Sequence, residues 1–299
     1  MIYRIFIIIN NVLYRVMGDK ISTRLAHSRI GILIYRLFLG TKETIQIQTL
    51  EGIKIQLPSN DALTLGIGHL GVVNRNETDV CKKFLKKGDI VIDVGAYIDG
   101  WYSLLAAKLV GEEGRVYAFE PHPLYYNLFK NNIKLNCIAN IMSIKLGVSD
   151  RVGTFNFYEG GIGSSLIKRH VEDVTKKLKE KNYGRAIKIK TTTLDKFVKD
   201  KQIKHIALIK IDVEGAEMKA LKGAINILKR VDGPNFIVEV VDQYLQRAGS
   251  SKRELLSYMD SFGYKPYYFT QSCLKPYAEE EKTAINLFFS KKKRLSYDQ

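Results

Sequence analysis

The feature that most constrains this chain is a buried strand that runs through a glycine turn into a helix. Residues 91–94 form the apolar strand, Gly95 opens the turn, and a helix begins at Trp101. A second short strand ends on Glu120, 25 residues after Gly95. In α/β nucleotide folds the glycine lets the backbone approach the ligand, and a carboxylate ending the next strand binds the ribose hydroxyls. The sequence therefore predicts a site for an adenosine cofactor.

The residues around this turn discriminate between adenosine cofactors. Residues 95–100 have the glycine spacing of a phosphate loop, but Trp101 and Tyr102 stand where that loop needs Lys and Ser or Thr. A dinucleotide fold needs a second glycine where this chain has Tyr97. The carboxylate of Asp93 repels a diphosphate but suits the ammonium of an amino acid. S-adenosylmethionine carries that ammonium and no phosphate, so the turn favours it over ATP and NAD.

Strands and helices alternate through the middle of the chain. Apolar runs predict strands at residues 90–94, 115–119, 141–146, 207–211 and 236–240. Helical periodicity predicts intervening helices from residue 77, at 101–110, at 123–135, from 216 and at 255–262. Strands separated by helices are typical of a parallel, doubly wound sheet. Two further runs, at 264–269 and 284–289, predict a closing antiparallel hairpin.

The chain divides at about residue 75. Residues 1–75 are predicted to form an N-terminal extension of helices and a β-hairpin, the hairpin lying at 44–57 with its turn at Glu51. Residues 76–299 are predicted to form the cofactor-binding domain. The alternation of strands and helices breaks between residues 152 and 189, where short extended runs and a glycine-rich run, 160–163, precede a charged stretch.

Carboxylates cluster where the fourth predicted strand ends. Asp212, Glu214 and Glu217 follow that strand, and Glu239 follows the fifth. In an open α/β sheet, ligands bind outside the carboxyl ends of the strands. An acidic residue there can also act only as a helix N-cap. Three acids within six residues exceed what capping requires, so we predict that they face a substrate.

Composition and charge bound the class of protein. With 45% hydrophobic and 26% charged residues among 299, the chain is typical of globular proteins. Its net charge is +16, and residues 166–205 hold thirteen Lys and Arg against five Asp and Glu. Such a segment suits an anionic partner or a solvated surface. The three cysteines form no CxxC pair, which argues against a disulfide framework or a cysteine-built zinc site and predicts a cytoplasmic location.

The first 40 residues combine apolar runs with basic residues. Residues 5–9 and 30–39 are apolar, and residues 1–40 carry six basic residues and one acidic residue. Neither run is long enough to span a bilayer. The pattern favours helices lying peripherally on the inner membrane face, and packing on the protein's own domain is the simpler alternative.

Motifs in unbroken order over about residues 71–290 give the chain a family resemblance. They are Asp93-Val-Gly-Ala96, Phe119-Glu-Pro-His-Pro123, Val148-Ser-Asp150, Gly163-Ser-Ser-Leu166, Thr193-Leu-Asp195, Ile209-Lys-Ile-Asp-Val-Glu-Gly-Ala-Glu217 and Leu221-Lys-Gly-Ala224. With these motifs the chain resembles the FkbM family of S-adenosylmethionine-dependent methyltransferases. The resemblance implies a Rossmann-like class I methyltransferase fold. The cofactor-binding residues it implies are Asp93, Gly95, Ala96, Tyr97, Gly100, Glu120, Pro121, Ser149, Asp150 and Asp212.

The resemblance implies an O-methyltransferase that acts on a small molecule, sugar or glycolipid-type acceptor. Such an enzyme must align a hydroxyl with the methyl group and remove its proton. The candidate bases are Asp212, Glu214 and Glu217, with His122 and His205 as alternatives. A divalent metal held by the acids is a further alternative, but their spacing matches no recognisable metal motif. We therefore predict no metal.

Two other functions stay open at this point. The basic segment 166–205 suits an RNA ribose methyltransferase, whereas base N-methylation requires Asn or Asp-Pro-Pro-aromatic after the fourth strand, where this chain has Asp212-Val-Glu-Gly215. The chain also departs from the family at Tyr97, where Asn is usual, and at Asp99, which is an extra residue before Gly100. These departures favour a non-catalytic, membrane-associated binding protein on the same fold.

Overall fold

The computed structural model describes residues 44–58, 74–159, 166, 185–270, 273–278 and 286–291. Several sequence predictions fall outside these residues. They are the N-terminal helices with the membrane segment at 1–40, the glycine-rich run 160–163 and part of the basic segment 166–205. Within the described residues, no helix is both long and apolar enough to cross a membrane.

The described residues form strands and helices in alternation. The strands are β1 (Thr44–Gln48), β2 (Lys54–Pro58), β3 (Ile90–Val94), β4 (Arg115–Phe119), β5 (Ile141–Ile144), β6 (Gly147–Val148), β7 (Gly153–Tyr158), β8 (Ala186–Thr192), β9 (Leu208–Ile211), β10 (Asn235–Glu239), β11 (Lys265–Thr270), β12 (Cys273–Pro276) and β13 (Asn286–Ser290). The helices are α1 (Arg75–Phe84), α2 (Trp101–Val110), α3 (Pro123–Leu135), α4 (Leu194–Asp200), α5 (Glu217–Lys222), α6 (Ile225–Leu228), α7 (Asp242–Arg247) and α8 (Lys252–Ser261).

An eight-stranded sheet in the order β12-β11-β13-β10-β9-β3-β4-β5 forms the centre of the molecule. Strands β5, β4, β3, β9 and β10 are parallel. Strand β13 pairs antiparallel with β10, and β11 pairs antiparallel with β13. This confirms the α/β, Rossmann-like class I methyltransferase fold with a mostly parallel sheet and a closing antiparallel hairpin. The carboxyl ends of β3, β4 and β9 meet at one edge of the sheet, where a ligand site is expected.

Apolar side chains cover both faces of the parallel strands. One hydrophobic cluster contains Val91 and Leu104, and the other contains Ile92, Ile209 and Leu221. Neighbouring residues of β3 thus contribute to opposite faces, as the period of two in a strand requires. Burial of both faces explains why these strands are near-continuous apolar runs.

The hairpin formed by β1 and β2 agrees with the sequence prediction and packs on helix α3. Its register pairs Ile45 with Leu57, and both side chains join the hydrophobic cluster that contains Val91. Asn132 of α3 and Asn136, its C-cap residue, form hydrogen bonds with the backbone of β2. The predicted boundary at residue 75 stays a prediction.

The helix predicted to run on from residue 216 is in fact two short helices, α5 and α6. Gly223 separates them, and a Cβ on Gly223 would lie 2.2 Å from the carbonyl oxygen of Ser149. The second helix begins where the Asp195 carboxylate accepts hydrogen bonds from the N–H groups of Asn226 and Ile227, at 2.8 and 3.0 Å. The helix therefore breaks because a close backbone approach and a long-range N-cap outweigh its apolar periodicity.

A three-stranded sheet, in the order β6-β8-β7, lies where the sequence pattern became irregular. Strand β8 pairs antiparallel with β7 and parallel with β6. The sequence indicated extended runs here, but the residues that pair are 28 to 44 positions apart in the chain. Strand β6 follows β5 in the chain and pairs with β8 outside the eight-stranded sheet.

Candidate functional site

A cavity of about 280 Å³ opens at the carboxyl edge of β3, β4 and β9. Residues of the turn after β3, the end of β4 and the segment after β9 line it, together with side chains from α2 and α3. The predicted cofactor or catalytic residues among them are Asp93, Gly95, Ala96, Tyr97, Glu120, Pro121, Asp212 and Glu214. The parallel sheet therefore brings most of the predicted site residues to one place.

The turn after β3 requires glycine at its first position. Gly95 has φ +94°, and a Cβ there would lie 1.9 Å from the carbonyl oxygen of Asp212. The N–H groups of Gly95 and Ala96 both donate to the carbonyl oxygen of Phe119 at 3.0 Å. The turn is thus held between the ends of β9 and β4, and the backbone itself forms this wall of the cavity.

Gly100, the last glycine of the turn, has a packing role. It has φ +60°, and a Cβ there would lie 2.1 Å from the ring of Phe129. Gly100 does not line the cavity among the described residues. The absence of a side chain at Gly100 allows the first residues of helix α2 to pack against Phe129 of α3, and this packing holds the end of the turn in place.

Glu120 is buried at the tip of β4 and connects two loops. Its Oε2 accepts a hydrogen bond from the Tyr97 N–H at 2.9 Å, and its Oε1 accepts one from the His122 N–H at 2.8 Å. Burial raises the pKa of this carboxyl to about 7, against the lowering effect of the two N–H donors. Each carboxylate oxygen has a second acceptor position. Glu120 can therefore hold the turn and still accept two ligand hydroxyls.

Asp93 lies at the end of β3, beside the buried Lys210 of β9. The two residues are partners in the sheet register. The Ser103 hydroxyl donates to Asp93 Oδ2 at 2.6 Å, while Oδ1 has no hydrogen-bond partner among the described residues. Burial raises the pKa of Asp93, and the Lys210 charge opposes that rise. The unpartnered oxygen is an acceptor suited to a ligand ammonium.

The motifs include Lys210 and its charged neighbours Asp93 and Asp212, but they gave no indication of the contacts with Tyr102, Glu77 and Asn286. Burial would lower the pKa of Lys210, but the charges of Asp212 and Asp93 outweigh it and raise this pKa. The ammonium lies 4.4 Å from the ring centroid of Tyr102, whose hydroxyl donates to Glu77 of α1. Glu77 also accepts from Asn286 Nδ2 at 2.8 Å. These contacts join residues more than 200 positions apart, so no local pattern could have predicted them.

The acidic edge, which we define as Asp212, Glu214 and Glu239, lies across the cavity from Glu120. Asp212 Oδ2 accepts from Lys210 Nζ at 3.0 Å, and its side chain is 29% exposed. Burial, followed by the charges of neighbouring carboxylates, raises the pKa of Glu214 and of Glu239 well above the ordinary value. Glu214 has φ +54°, a conformation uncommon for residues other than glycine.

Glu217 differs from these acids because its carboxylate turns back onto the loop before α5. Its Oε1 accepts from the N–H groups of Val213 and Gly215, both at 3.0 Å. The residue is 1% exposed and does not line the cavity among the described residues. This placement suits a residue that shapes the loop carrying Asp212 and Glu214, not a base that contacts substrate.

Ser149 and Asp150 lie beyond the cavity, whose wall here is formed by residues 146–148. The Ser149 N–H donates to the carbonyl oxygen of Thr192, and its hydroxyl donates to Asp150 Oδ1 at 3.1 Å. Because β6 turns away to pair with β8, the side chain of Ser149 is buried and Asp150 is exposed.

The two histidines considered as alternative bases are placed away from the acidic edge. His122 Nδ1 accepts from the Tyr125 N–H as the N-cap of α3, and its Nε2 lies 2.9 Å from Glu159 Oε1. His205 is exposed in the segment before β9, and so at the opposite end of that strand from Asp212. Neither placement suits a base.

Glu77 provides a prediction of pH-dependent stability. Burial raises its pKa from 4.5 to about 7, so the folded protein binds a proton that the unfolded chain releases between these values. Stability from this group is present below pH 4.5 and is lost as the pH rises through 7. Glu77→Gln removes this titration. The free energy of unfolding of Glu77→Gln minus that of the wild type is therefore expected to be larger at pH 8 than at pH 5, by up to about 3 kcal/mol. Urea unfolding across this pH range measures the difference, with the exposed Glu113→Gln as control. A pH-independent difference would contradict the raised pKa.

The cavity carries a marked excess of negative charge. Among the described residues that line it, five are acidic (Asp93, Asp99, Glu120, Asp212 and Glu214), and Lys210 is the single cationic side chain. Phe119, Pro121, Leu146 and Val148 provide apolar surface. Such a lining repels phosphate groups and attracts positive charge. It fits an adenosine ligand that carries an ammonium and a positively charged sulfur, as S-adenosylmethionine does.

Comparison with known proteins agrees with this geometry. Residues 93–266, more than half of the chain, match the methyltransferase FkbM domain. Methyltransferase sdnD of Sordaria araneosa is 29% identical over 170 residues, which cover 49% of this chain and 65% of that protein. Hexuronic acid methyltransferase AglP of Haloferax volcanii is 26% identical over 167 residues, which cover 55% of this chain and 62% of that protein. The chain thus spans less than two thirds of the length of either relative.

A solved structure of a methyltransferase FkbM from Methylobacillus flagellatus KT aligns with a TM-score of 0.44 and 15% identity, covering 76% of this chain and 52% of that chain. The family assignment rests on the domain match and not on this likeness. The matched residues include the Gly95 turn, Glu120 and the acidic edge. The chain belongs to the FkbM methyltransferase family.

Proposed function

We propose that this protein is an S-adenosylmethionine-dependent O-methyltransferase that acts on a hydroxyl of a small molecule or glycan. The observation that carries the proposal is the acidic cavity, with the Gly95 turn and Glu120 on one side and Asp212 and Glu214 on the other. When bound, S-adenosylmethionine supplies a methyl group attached to a positively charged sulfur. The hydroxyl oxygen forms a bond to this methyl carbon as the carbon–sulfur bond breaks, and the sulfur becomes a neutral thioether.

On the cofactor side, carboxylate oxygens of Glu120 and Asp93 are available to accept hydrogen bonds from S-adenosylmethionine. Glu120 holds the ribose hydroxyls with the lone pairs that its two backbone hydrogen bonds leave free. Asp93 Oδ1, which has no partner among the described residues, accepts from the ammonium. The negative cavity also stabilises a sulfonium by ordinary Coulomb attraction. Lys210, the single cationic side chain among the described lining residues, pairs with Asp212, so the lining favours this ligand over one with phosphate groups.

On the acceptor side, Asp212 and Glu214 take up the hydroxyl proton. Asp212 is partly exposed, so a substrate can reach it, and Lys210 fixes its Oδ2 at 3.0 Å. Burial and the charges of Asp212 and Glu217 raise the pKa of Glu214. A raised pKa makes a carboxylate a better proton acceptor near neutral pH. The two carboxylates therefore provide one oriented and one more basic group at the same edge.

A sugar hydroxyl is the acceptor that the comparisons favour. The Haloferax volcanii relative is a hexuronic acid methyltransferase. The net charge of +16 suits an anionic acceptor such as a uronic acid only where the acceptor's carboxylate lies outside the acidic cavity. The chemistry does not require an anion, and a neutral glycan or small-molecule hydroxyl fits the same acidic edge.

The decisive experiment follows a labelled methyl group into candidate acceptors. The protein is incubated with radiolabelled S-adenosylmethionine and a lysate fractionated into lipid, glycan and RNA, with Asp212→Asn as the background. We expect label in the glycan or glycolipid fraction. Label in RNA alone would favour ribose methylation instead. Absence of both label and S-adenosylmethionine binding would favour a non-catalytic binding protein.

Replacing Glu120 by alanine tests the cofactor side. We expect S-adenosylmethionine to bind about tenfold or more weakly, because two ribose hydrogen bonds of about 0.5–1.5 kcal/mol each are lost. Isothermal titration calorimetry measures the change, and Glu113→Ala, an exposed glutamate in the turn before β4, is the matched control. Unchanged affinity in Glu120→Ala would remove Glu120 from the cofactor site.

A further inference from the structure

The three carboxylates of the acidic edge converge on one point. Asp212 follows β9 and Glu239 ends β10, and these strands are parallel neighbours. One carboxylate oxygen from each of Asp212, Glu214 and Glu239 lies within 4.8 Å of the other two. Oxygen ligands on opposite sides of a divalent cation are about 4–5 Å apart, since each lies 2.0–2.6 Å from the ion. The spacing therefore fits three ligands of a single ion.

Glu239 provides an independent indication that this edge binds a cation. The residue is 8% exposed, and its Oε2 is buried without a hydrogen-bond partner among the described residues. A buried carboxylate oxygen without a partner is costly, because it loses its hydration and gains nothing in exchange. Neither an N-cap nor a loop-shaping contact accounts for this oxygen, in contrast to Glu217. It is available as a ligand.

We propose that Asp212, Glu214 and Glu239 bind one divalent cation of the oxygen-preferring class, Mg²⁺ or Mn²⁺, at the acceptor side of the cavity. Three carboxylate ligands leave coordination positions open, and Asp212 and Glu214 line the cavity, so an acceptor oxygen can occupy one of them. This role rests on the proposed function. With the ion bound, the three carboxylates act as ligands, and the ion would lower the pKa of an acceptor hydroxyl that contacts it and so assist loss of its proton. The proposal revises the sequence-based prediction of no metal.

Binding of Mn²⁺ to the cofactor-free protein tests the site without any need for activity. Loss of the free-Mn²⁺ electron paramagnetic resonance signal gives the affinity, and Mg²⁺ competition gives the ion class. We expect about one ion per chain and an affinity about tenfold or more weaker in Glu239→Gln. The matched control is Glu77→Gln, since Glu77 is also 8% exposed but lies outside the acidic edge. That control is expected to keep the wild-type affinity within about threefold.

Thermal unfolding checks that the variant is folded. Glu239→Gln removes a buried charge, so its melting temperature without metal is expected to equal or exceed that of the wild type. Added Mn²⁺ is expected to raise the melting temperature of the wild type and of Glu77→Gln but not that of Glu239→Gln. If Glu239→Gln does not fold, Asp212→Asn serves as the second variant, with the same expected loss of Mn²⁺ affinity.

The proposal would be overturned if millimolar Mn²⁺ left the wild type unaffected, or if it bound the wild type and Glu239→Gln equally. Methyl transfer separates this failure from failure of the proposed function. Full activity after exhaustive chelation would refute the ion's role and leave the methyltransferase in place. Mn²⁺ binding that depends on Glu239, in a protein that transfers no methyl group, would keep the ion site and refute the proposed function.

Discussion

Replacing Asp212 by asparagine is expected to lower the turnover of methyl transfer by about 100-fold or more, with little change in stability. Asparagine keeps the shape of the side chain and an oxygen that can accept from Lys210, which lies 3.0 Å from Asp212 Oδ2. It removes the negative charge that takes up a proton or holds a cation. General acid–base catalysis alone contributes about 10²–10⁴-fold. The effect should therefore fall on turnover and not on folding.

The measurement compares turnover, S-adenosylmethionine affinity and melting temperature of Asp212→Asn with those of Asp150→Asn. Asp150 is an exposed aspartate that follows β6 and does not line the cavity among the described residues. Its substitution is expected to leave all three quantities close to wild type. An Asp212→Asn variant that melts early but retains full turnover would make Asp212 a structural residue only.

Replacing Gly95 by alanine is expected to abolish S-adenosylmethionine binding, with a loss of about 100-fold or more. The new Cβ would lie 1.9 Å from the Asp212 carbonyl oxygen, far inside contact distance, and φ +94° is a conformation that alanine rarely adopts. The turn must shift away from β9, which also breaks its hydrogen bonds to the end of β4. Because the backbone of this turn forms the cofactor wall, even a shift of about 1 Å is costly.

A control separates the steric clash from the backbone conformation. Gly88 has a similar φ of +84°, but a Cβ there would meet nothing within 4 Å. Gly88→Ala is expected to lower stability slightly through backbone strain and to leave cofactor affinity unchanged. Calorimetric titration of both variants with S-adenosylmethionine distinguishes the effect of the steric clash from that of the backbone conformation. If Gly95→Ala binds S-adenosylmethionine as tightly as Gly88→Ala, the turn does not form the cofactor wall.

The order of local elements around the Gly95 turn could be predicted because its determinants are close in sequence. The strand, the glycine turn and the helix lie within residues 90–110, and β4 follows after a short connection. Right-handed crossover then makes β3 and β4 parallel neighbours. Hence Gly95 and Glu120 were expected at the same edge, and the structure has both lining one cavity.

The sequence could not predict which of the carboxylates line the cavity and which one binds the loop. Asp212, Glu214 and Glu217 are near-identical in sequence context, yet Glu217 accepts hydrogen bonds from the loop while the other two line the cavity. The difference arises from the loop conformation, including the positive φ of Glu214 and Gly215. A sequence pattern predicts that acidic residues lie at the carboxyl edge of the sheet, but it does not predict the orientation of their carboxylate oxygens.

Contacts between distant segments were likewise decided by the tertiary structure. Glu77 meets Tyr102 and Asn286 only after α1, α2 and β13 have packed together, and Ser149 leaves the cavity because β6 pairs with β8. Glu239 pairs with Asn286 of β13 in the sheet, and its Oε2 has no hydrogen-bond partner among the described residues.

By itself the sequence determined the parallel α/β fold, the glycine turn with Glu120 and the presence of an acidic edge, because strand and helix periodicities and turn glycines are local properties. The tertiary structure alone decided which polar atoms are satisfied within the protein and which remain for a ligand. Hydrogen-bond partners and burial depend on segments that are far apart in the chain.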